Sequence, residues 1–264
     1  MMSQDIFVEV GHGPTLIDNN IMLSDASLRF ATEGVALVHN LICGALTCVG
    51  GGTGPRYTPY HMPHRTEVMG FMTVLHGDDR FYNNIFVQKW PSDDIITMHD
   101  SDDGFDTENR AAGTWMFDEY PTYDEWISQF DFSKPADMAK LYGAHEGKLP
   151  VWIEGNAYLG GAKPSKKDVN ALISAVARED VRVELVQKED GYYLDTNVYE
   201  LIEGFKNRMI DSDVLGKAFE PEERFENPDG TAIRFDSDYF GTHRGVDVIP
   251  GPFAGAEEAA KVLY

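Results

Sequence analysis

Asp18-Asn19-Asn20-Ile21-Met22 and Val38-His39-Asn40-Leu41-Ile42 repeat one figure, an asparagine followed by two apolar residues, at a spacing of 20 residues. The figure returns in Tyr82-Asn83-Asn84-Ile85-Phe86 and Glu154-Gly155-Asn156-Ala157-Tyr158. A supersecondary unit repeated along a chain marks a solenoid, and an asparagine held at the same turn of each unit can stack, its amide bonding to the coils on either side. The first spacing is about one coil, whereas the later spacings of 44 and 72 residues require inserted loops. Asparagine-rich turns also occur in other β proteins. The repeats therefore point to an all-β solenoid without excluding its relatives.

The composition bounds what such a chain can do. With 264 residues and 42% hydrophobic content, it can bury a sizeable core. Its 44 acidic residues against 22 basic ones give a formal charge of −22, which repels phosphate backbones and anionic headgroups. Nucleic acid and membrane surfaces are therefore not the expected partners, and the sequence contains no long apolar run or signal-like start. Cys43 and Cys48 lie in the apolar run Leu41 to Val49 with no further cysteine to complete a zinc set. They read as small buried hydrophobes, which fits a reducing, cytoplasmic compartment.

Two insertions break the repeat. Residues 49–66 are glycine-rich, then aromatic and histidine-rich, and lack the Gly-Lys-Ser/Thr of a phosphate loop. Residues 92–148 hold the acidic run Asp100 to Asp106 and the aromatics Trp115, Phe117, Tyr120, Tyr123 and Trp126. The acidic run offers oxygen ligands for calcium but not the spacing of an EF-hand loop, and it reads as a solvated loop. No other cofactor is expected.

After Gly160 the pattern changes. A capping-box-like start at Ser165 and the spacing of Val169, Leu172, Ile173 and Val176 predict a helix over roughly 166–178. Val181 to Gln187 alternates like a half-buried strand, and Glu189-Asp190-Gly191 reads as a hairpin turn. Residues 1–160 are thus expected to form the coils, and 161–264 a strand-rich, sandwich-like segment containing one helix.

Several residues have the chemistry of a site. Glu9 stands in the apolar run Ile6-Phe7-Val8-Glu9-Val10, where partial desolvation would favour a protonated general acid. Taken alone it reads as an ordinary exposed strand residue. His12, beside Gly13-Pro14, reads either as a sugar contact that also orients Glu9 or as a turn histidine bonded to backbone. Tyr60, His61, His64, Arg65 and Glu67 combine aromatic faces with polar donors, as in sites for neutral sugars. Pro59 and Pro63 exclude the helix on which His61 and His64 would share a zinc ion. Arg80, in His76-Gly77-Asp78-Asp79-Arg80, reads as part of an ion-paired turn or as a substrate contact.

The segment Glu9-Val10-Gly11-His12-Gly13-Pro14, leading into Asp18-Asn19-Asn20, resembles glycoside hydrolase family 120, the β-xylosidases, whose motif differs at Gly11. The similarity continues through His39-Asn40-Leu41, residues 56–67, His76 to Asn84, Asp238 to Gly241 and Pro250 to Phe253, and corresponds to the C-terminal part of a family member. It implies a right-handed parallel β-helix, a xylo-oligosaccharide substrate, a homo-oligomer and an acid/base role for Glu9. It also implies an aspartate nucleophile one coil upstream, where this sequence offers only Asp5, in the same strand. On the downstream side, equal spacing from the asparagines stacks Arg29 beside Glu9, with Glu33 or Asp25 as substitute carboxylates. The expected function is therefore the acid/base part of a retaining exo-glycosidase, completed by an upstream segment or another chain. A non-catalytic carbohydrate-binding β-helix and a calcium-dependent polysaccharide lyase are the alternatives. The apolar first coil, with no cap before it, predicts self-association or a covering partner.

Overall fold

The computed structural model describes residues 4–49, 57–62, 64–89, 96–99, 107–131, 133–134 and 148–263. The glycine cluster 50–55 and the acidic run 100–106 lie outside them.

The chain visits three sheets in the same order on successive passes. The first pass is β1 (Gln4–Glu9), β2 (Thr15–Asp18) and β3 (Ile21–Met22), and the second is β4 (Ala26–Ala31), β5 (Val35–Val38) and β6 (Leu41–Ile42). The third begins at β7 (Ala45–Val49) and is interrupted by the antiparallel hairpin β8 (Tyr57–His61) and β9 (Val68–Thr73). It resumes at β10 (Asp79–Tyr82) and β11 (Ile85–Val87). On the fourth pass β12 (Ile96–His99) and β13 (Thr107–Ala111) join the first sheet antiparallel, and β14 (Val151–Glu154) and β15 (Ala157–Leu159) continue the others. The short β16 (Leu172–Ile173) adds a fifth strand to the third sheet. The orders are β1-β4-β7-β13-β12, β14-β10-β5-β2 and β16-β15-β11-β6-β3, and apart from β12 and β13 every pairing in them is parallel.

Inward residues stack in register. Ile17, Leu37, Phe81 and Ile153 form one buried column, and Met22, Ile42, Phe86 and Tyr158 form another, in which the Phe86 and Tyr158 rings stack 5.2 Å apart. Burial of such a column removes apolar surface from water at about 25 cal/mol per Å².

The asparagines form the ladder that their repetition predicts. Asn20 donates its backbone and side-chain N–H groups to Asn40 Oδ1 at 3.0 and 3.2 Å, and Asn40 does the same to Asn84 Oδ1 at 3.0 and 3.0 Å. Asn84 repeats the pattern on Asn156 Oδ1 at 2.9 and 3.0 Å, and Asn156 Nδ2 donates to Asp168 Oδ2 at 3.1 Å. The preceding residues Asn19, His39, Asn83 and Gly155 all have positive φ, between 53° and 73°. Asparagine, histidine and glycine tolerate that left-handed region better than other residues, which explains the pairs before each rung.

The C-terminal half departs from expectation in two ways. No helix forms over 166–178. There β16 pairs with Ala157 and Tyr158, while Val169, Leu172 and Ser174 donate backbone N–H groups to Ile153, Asn156 and Tyr158. The open edge of the ladder satisfies this backbone, so the helical spacing of its apolar residues is overridden, and Val169 and Ile173 are each 64% exposed. The ladder accordingly runs past residue 160. Nor is the remainder a sandwich among the described residues. It holds the hairpin β17 (Val183–Lys188) and β18 (Gly191–Thr196), the small pair β19 (Asn207–Arg208) and β20 (Asp247–Val248), and short helices at Val198–Leu201, Ser212–Leu215 and Ala256–Ala259.

This remainder covers two of the three sheets from outside. Ile210, Leu215, Phe225 and Phe235 pack on Ala36, Val38 and Tyr82 of the second sheet. Val183, Leu194, Val198, Tyr199 and Phe253 pack on Leu41, Ile85 and Ala157 of the third. Both cysteines are buried, as their apolar setting predicts, and neither is in a disulfide. Among the described residues no helix is long and apolar enough to cross a membrane.

Candidate active site

The first sheet is open on its outer face at the β1 end. Ile6 and Val8 pack on the core, so the alternate residues Phe7 and Glu9 point outward, with Phe7 50% exposed and Glu9 also exposed. Arg29 stacks over the Phe7 ring at 4.7 Å and pairs in register with Phe7 rather than with Glu9, whose neighbour in β4 is Ala31. The equal-spacing argument fails because the corner after β1 is longer than the corner after β4: β2 starts at Thr15 but β5 at Val35, while Glu9 and Ala31 are level.

The corner after β1 is tightly built. Gly13 has φ 72°, and a Cβ there would lie 2.6 Å from the Gly34 carbonyl oxygen, so only glycine lets the two passes approach this closely. The turn buries His12 to 5% exposure. His12 Nδ1 lies 2.7 Å from Glu33 Oε1 and 3.6 Å from Glu220 Oε2, and Nε2 lies 2.5 Å from Thr58 Oγ1. Glu33 Oε2 also accepts the Leu75 backbone N–H at 2.7 Å. Glu33 thus faces His12 and the core. It does not pair with Glu9.

Burial alone would push the His12 imidazole down, but the hydrogen bond to Glu33 and the charges of Glu33 and Glu220 outweigh it and leave the ring raised. Burial pushes the Glu220 carboxyl up to about 8, Glu33 adds repulsion, and His12 opposes both. Neither Glu220 oxygen has a hydrogen-bond partner.

Thr58 brings the β8–β9 hairpin to this corner, and the Tyr60 ring stands edge-on to His12 at 6.2 Å between centroids. Tyr60 is half-buried, and His61, His64, Arg65 and Glu67 are exposed. Arg65 pairs with Glu67 at 3.3 Å, while His64 docks on the C-terminal segment through its ring to Glu226 and its backbone N–H to Glu223. The hairpin therefore spans from the His12 corner to residues 223–226.

Arg80 lies elsewhere, on the outer face of the second sheet. Its guanidinium donates to the carbonyls of Leu215 at 2.9 Å and Lys217 at 2.7 Å and to Asp78, and it is stacked between Trp152 and Phe225. Burial pushes Asp78 up to about 6 against the pull of Arg80. The ion-paired turn read from the sequence is present.

Sequence reading did not single out Thr58 or Glu220 and considered Glu33 only as a partner for Glu9. Glu33 and Glu220 reach His12 from 21 and more than 200 residues away, and no local pattern announces such a meeting.

No family model matches the chain, and no curated protein matches it. A solved structure of XylC in complex with xylose superposes with a TM-score of 0.77 at 30% sequence identity, covering 95% of this chain and 36% of that one. The chain thus spans about a third of the length of XylC and over that span shares its fold.

Proposed function

We propose that the chain carries the acid/base carboxylate of a retaining, β-xylosidase-like glycoside hydrolase and that its three sheets are the coils of a right-handed parallel β-helix. The observation that carries this reading is the 30% identity to XylC, a protein solved with xylose, across 95% of the chain.

Glu9 is the acid/base. It protonates the glycosidic oxygen as the leaving group departs and the anomeric carbon bonds to the nucleophile carboxylate, then takes a proton from the water that displaces that carboxylate and releases the sugar. Retention needs a second carboxyl about 5–5.5 Å away, close to the spacing of about 4.8 Å between neighbouring strands. Ala31 fills the β4 side. The nucleophile therefore belongs on the other flank of β1, an edge unpaired among the described residues, and comes from a strand outside them. Tyr60, His61, His64, Arg65 and Glu67 on the hairpin supply the wall that holds a xylo-oligosaccharide. His12 and Arg80, whose donors are engaged with protein groups, hold that wall and the C-terminal segment in place.

The test is hydrolysis of an aryl β-xyloside by the 264-residue chain, alone and mixed with a polypeptide carrying the missing strand, with Glu9→Gln as control. Activity in the mixture that the variant loses supports the proposal. Full activity of the chain alone places the nucleophile within it, and glycan binding that survives Glu9→Gln without turnover favours a binding protein instead.

A further inference from the structure

The meeting of His12, Glu33 and Glu220 has a donor balance that the hydrolase reading does not use. The Glu220 side chain is 1% exposed, and both of its oxygens are buried without a hydrogen-bond partner. Buried carboxylates without donors are costly and call for a cation or a proton. The Thr58 hydroxyl lies within reach of the Met72 carbonyl at 3.4 Å, and donating there leaves its oxygen free to accept from His12 Nε2–H. With Nε2–H engaged there, Nδ1, which donates to Glu33 Oε1 in the absence of metal and also faces Glu220 Oε2, is the nitrogen that gives up its proton to a cation. Three candidate ligand atoms thus converge, all within 4.8 Å of one another.

We propose that His12 Nδ1, Glu33 and Glu220 bind one divalent cation of the zinc class. One imidazole nitrogen and two carboxylates form a set that zinc accepts in tetrahedral sites, with a fourth position left for water. Two carboxylates are too few, and the nitrogen too soft, for calcium. The surroundings are those of a metal ligand: the second histidine nitrogen is tied to Thr58 Oγ1, and the Glu33 carboxylate is anchored by the Leu75 N–H. Ligands at about 2.0–2.1 Å from a tetrahedral ion stand about 3.3 Å apart. The 3.6 Å contact to Glu220 is close to that spacing, and the 2.7 Å contact to Glu33 lengthens by about 0.6 Å when both groups bind one ion. The ion cross-links the corner after β1, the corner after β4 and the C-terminal segment, three places far apart in sequence.

The experiment is a zinc titration of the full chain after EDTA dialysis, followed by calorimetry. The variant His64→Ala serves as background, because His64 with Glu226 is a competing surface site. One saturable equivalent, weakened by more than about tenfold in Glu220→Gln, is the expected result. Circular dichroism confirms that the variant is folded. A readout on the unmutated site is the cobalt(II) visible spectrum together with the ¹⁵N shift of His12 Nδ1, which moves on zinc addition if Nδ1 is a ligand. This second readout decides the matter should Glu220→Gln fail to fold. The absence of a saturable site at micromolar zinc, equal affinity in Glu220→Gln, or an unmoved Nδ1 overturns the proposal and leaves a proton shared within the cluster.

Discussion

Asn84 Oδ1 receives two N–H groups from Asn40, one from the backbone and one from the side chain, each at 3.0 Å, and Asn84 makes the same pair of donations to Asn156. It also donates to the Leu37 carbonyl at 2.8 Å and is wholly buried. Truncation to alanine strands several buried donors and acceptors at once, at about 1–3 kcal/mol for each uncompensated group. Asn84→Ala is expected to lower stability by about 3 kcal/mol or more, whereas Asn20→Ala, at the half-buried end of the ladder, costs about 1 kcal/mol. Urea denaturation of the two variants checks the ratio.

Asp168 closes the same ladder, accepting from Asn156 at 3.1 Å and from the Tyr158 hydroxyl at 2.6 Å, and burial pushes its carboxyl from 3.8 up to about 6. The folded state therefore keeps a proton that the unfolded state releases near pH 4, so this group's contribution to stability falls as pH rises from about 4 to about 6 and stays low above that. Asp168→Asn removes the fall. Its stability relative to the unsubstituted chain should rise across that window and level off at about 1–2 kcal/mol by pH 7, discounted for residual solvent contact. Thermal melts from pH 4 to 7 measure the difference. A difference that does not change with pH would contradict the assignment.

Gly77 has φ 96°, and a Cβ there would lie 2.4 Å from the Leu149 carbonyl oxygen. Gly77→Ala meets both an unfavourable backbone region and a backbone clash, with an expected loss of about 2–4 kcal/mol. Gly230, also at positive φ but with nothing within 4 Å, serves as control, and its alanine variant is expected to lose about 1 kcal/mol.

Arg80→Lys keeps the charge and removes the planar fork that reaches Leu215, Lys217 and Asp78 together. A loss of about 2–4 kcal/mol is expected, since the Leu215 and Lys217 carbonyls lose donors and the buried Asp78 carboxylate keeps only the Phe219 N–H. Limited proteolysis should show the C-terminal segment near residues 215–217 opening first.

Glu9→Gln changes an exposed side chain on an open face. Its stability should stay within about 1 kcal/mol of the parent, the range of an exposed polar or ionic contact. A large loss would make Glu9 a structural residue and remove it as acid/base.

The ladder was legible because its rungs are short, local and repeated: an asparagine, a residue before it that tolerates positive φ, and two apolar residues after it. The β17–β18 hairpin was legible for the same local reason. The false helix over 166–178 shows where such reading stops, since Val169, Leu172 and Ile173 satisfy helical spacing while their backbone completes a distant strand edge. Arg29 failed as the neighbour of Glu9 because register depends on the lengths of corners, which the spacing of asparagines does not report. The cluster around His12 lay furthest from view. Its carboxylates come from another pass and from the C-terminal segment, brought together by the close approach of Gly13 to Gly34 and by the packing of residues 215–225 on the second sheet.

The corner that carries the ladder has the same length every time, joining Asp18 to Ile21, Val38 to Leu41, Tyr82 to Ile85 and Glu154 to Ala157. Every long insertion enters elsewhere, between β7 and β10 or between β11 and β14. The chain therefore behaves like a ring binder: a spine of fixed pitch keeps the pages aligned, and sheets of any size can be added at the free margin. Lengthening a loop at that margin costs only closure entropy, about 0.6 kcal/mol per doubling. Loops can thus be exchanged there without moving Glu9 relative to the spine.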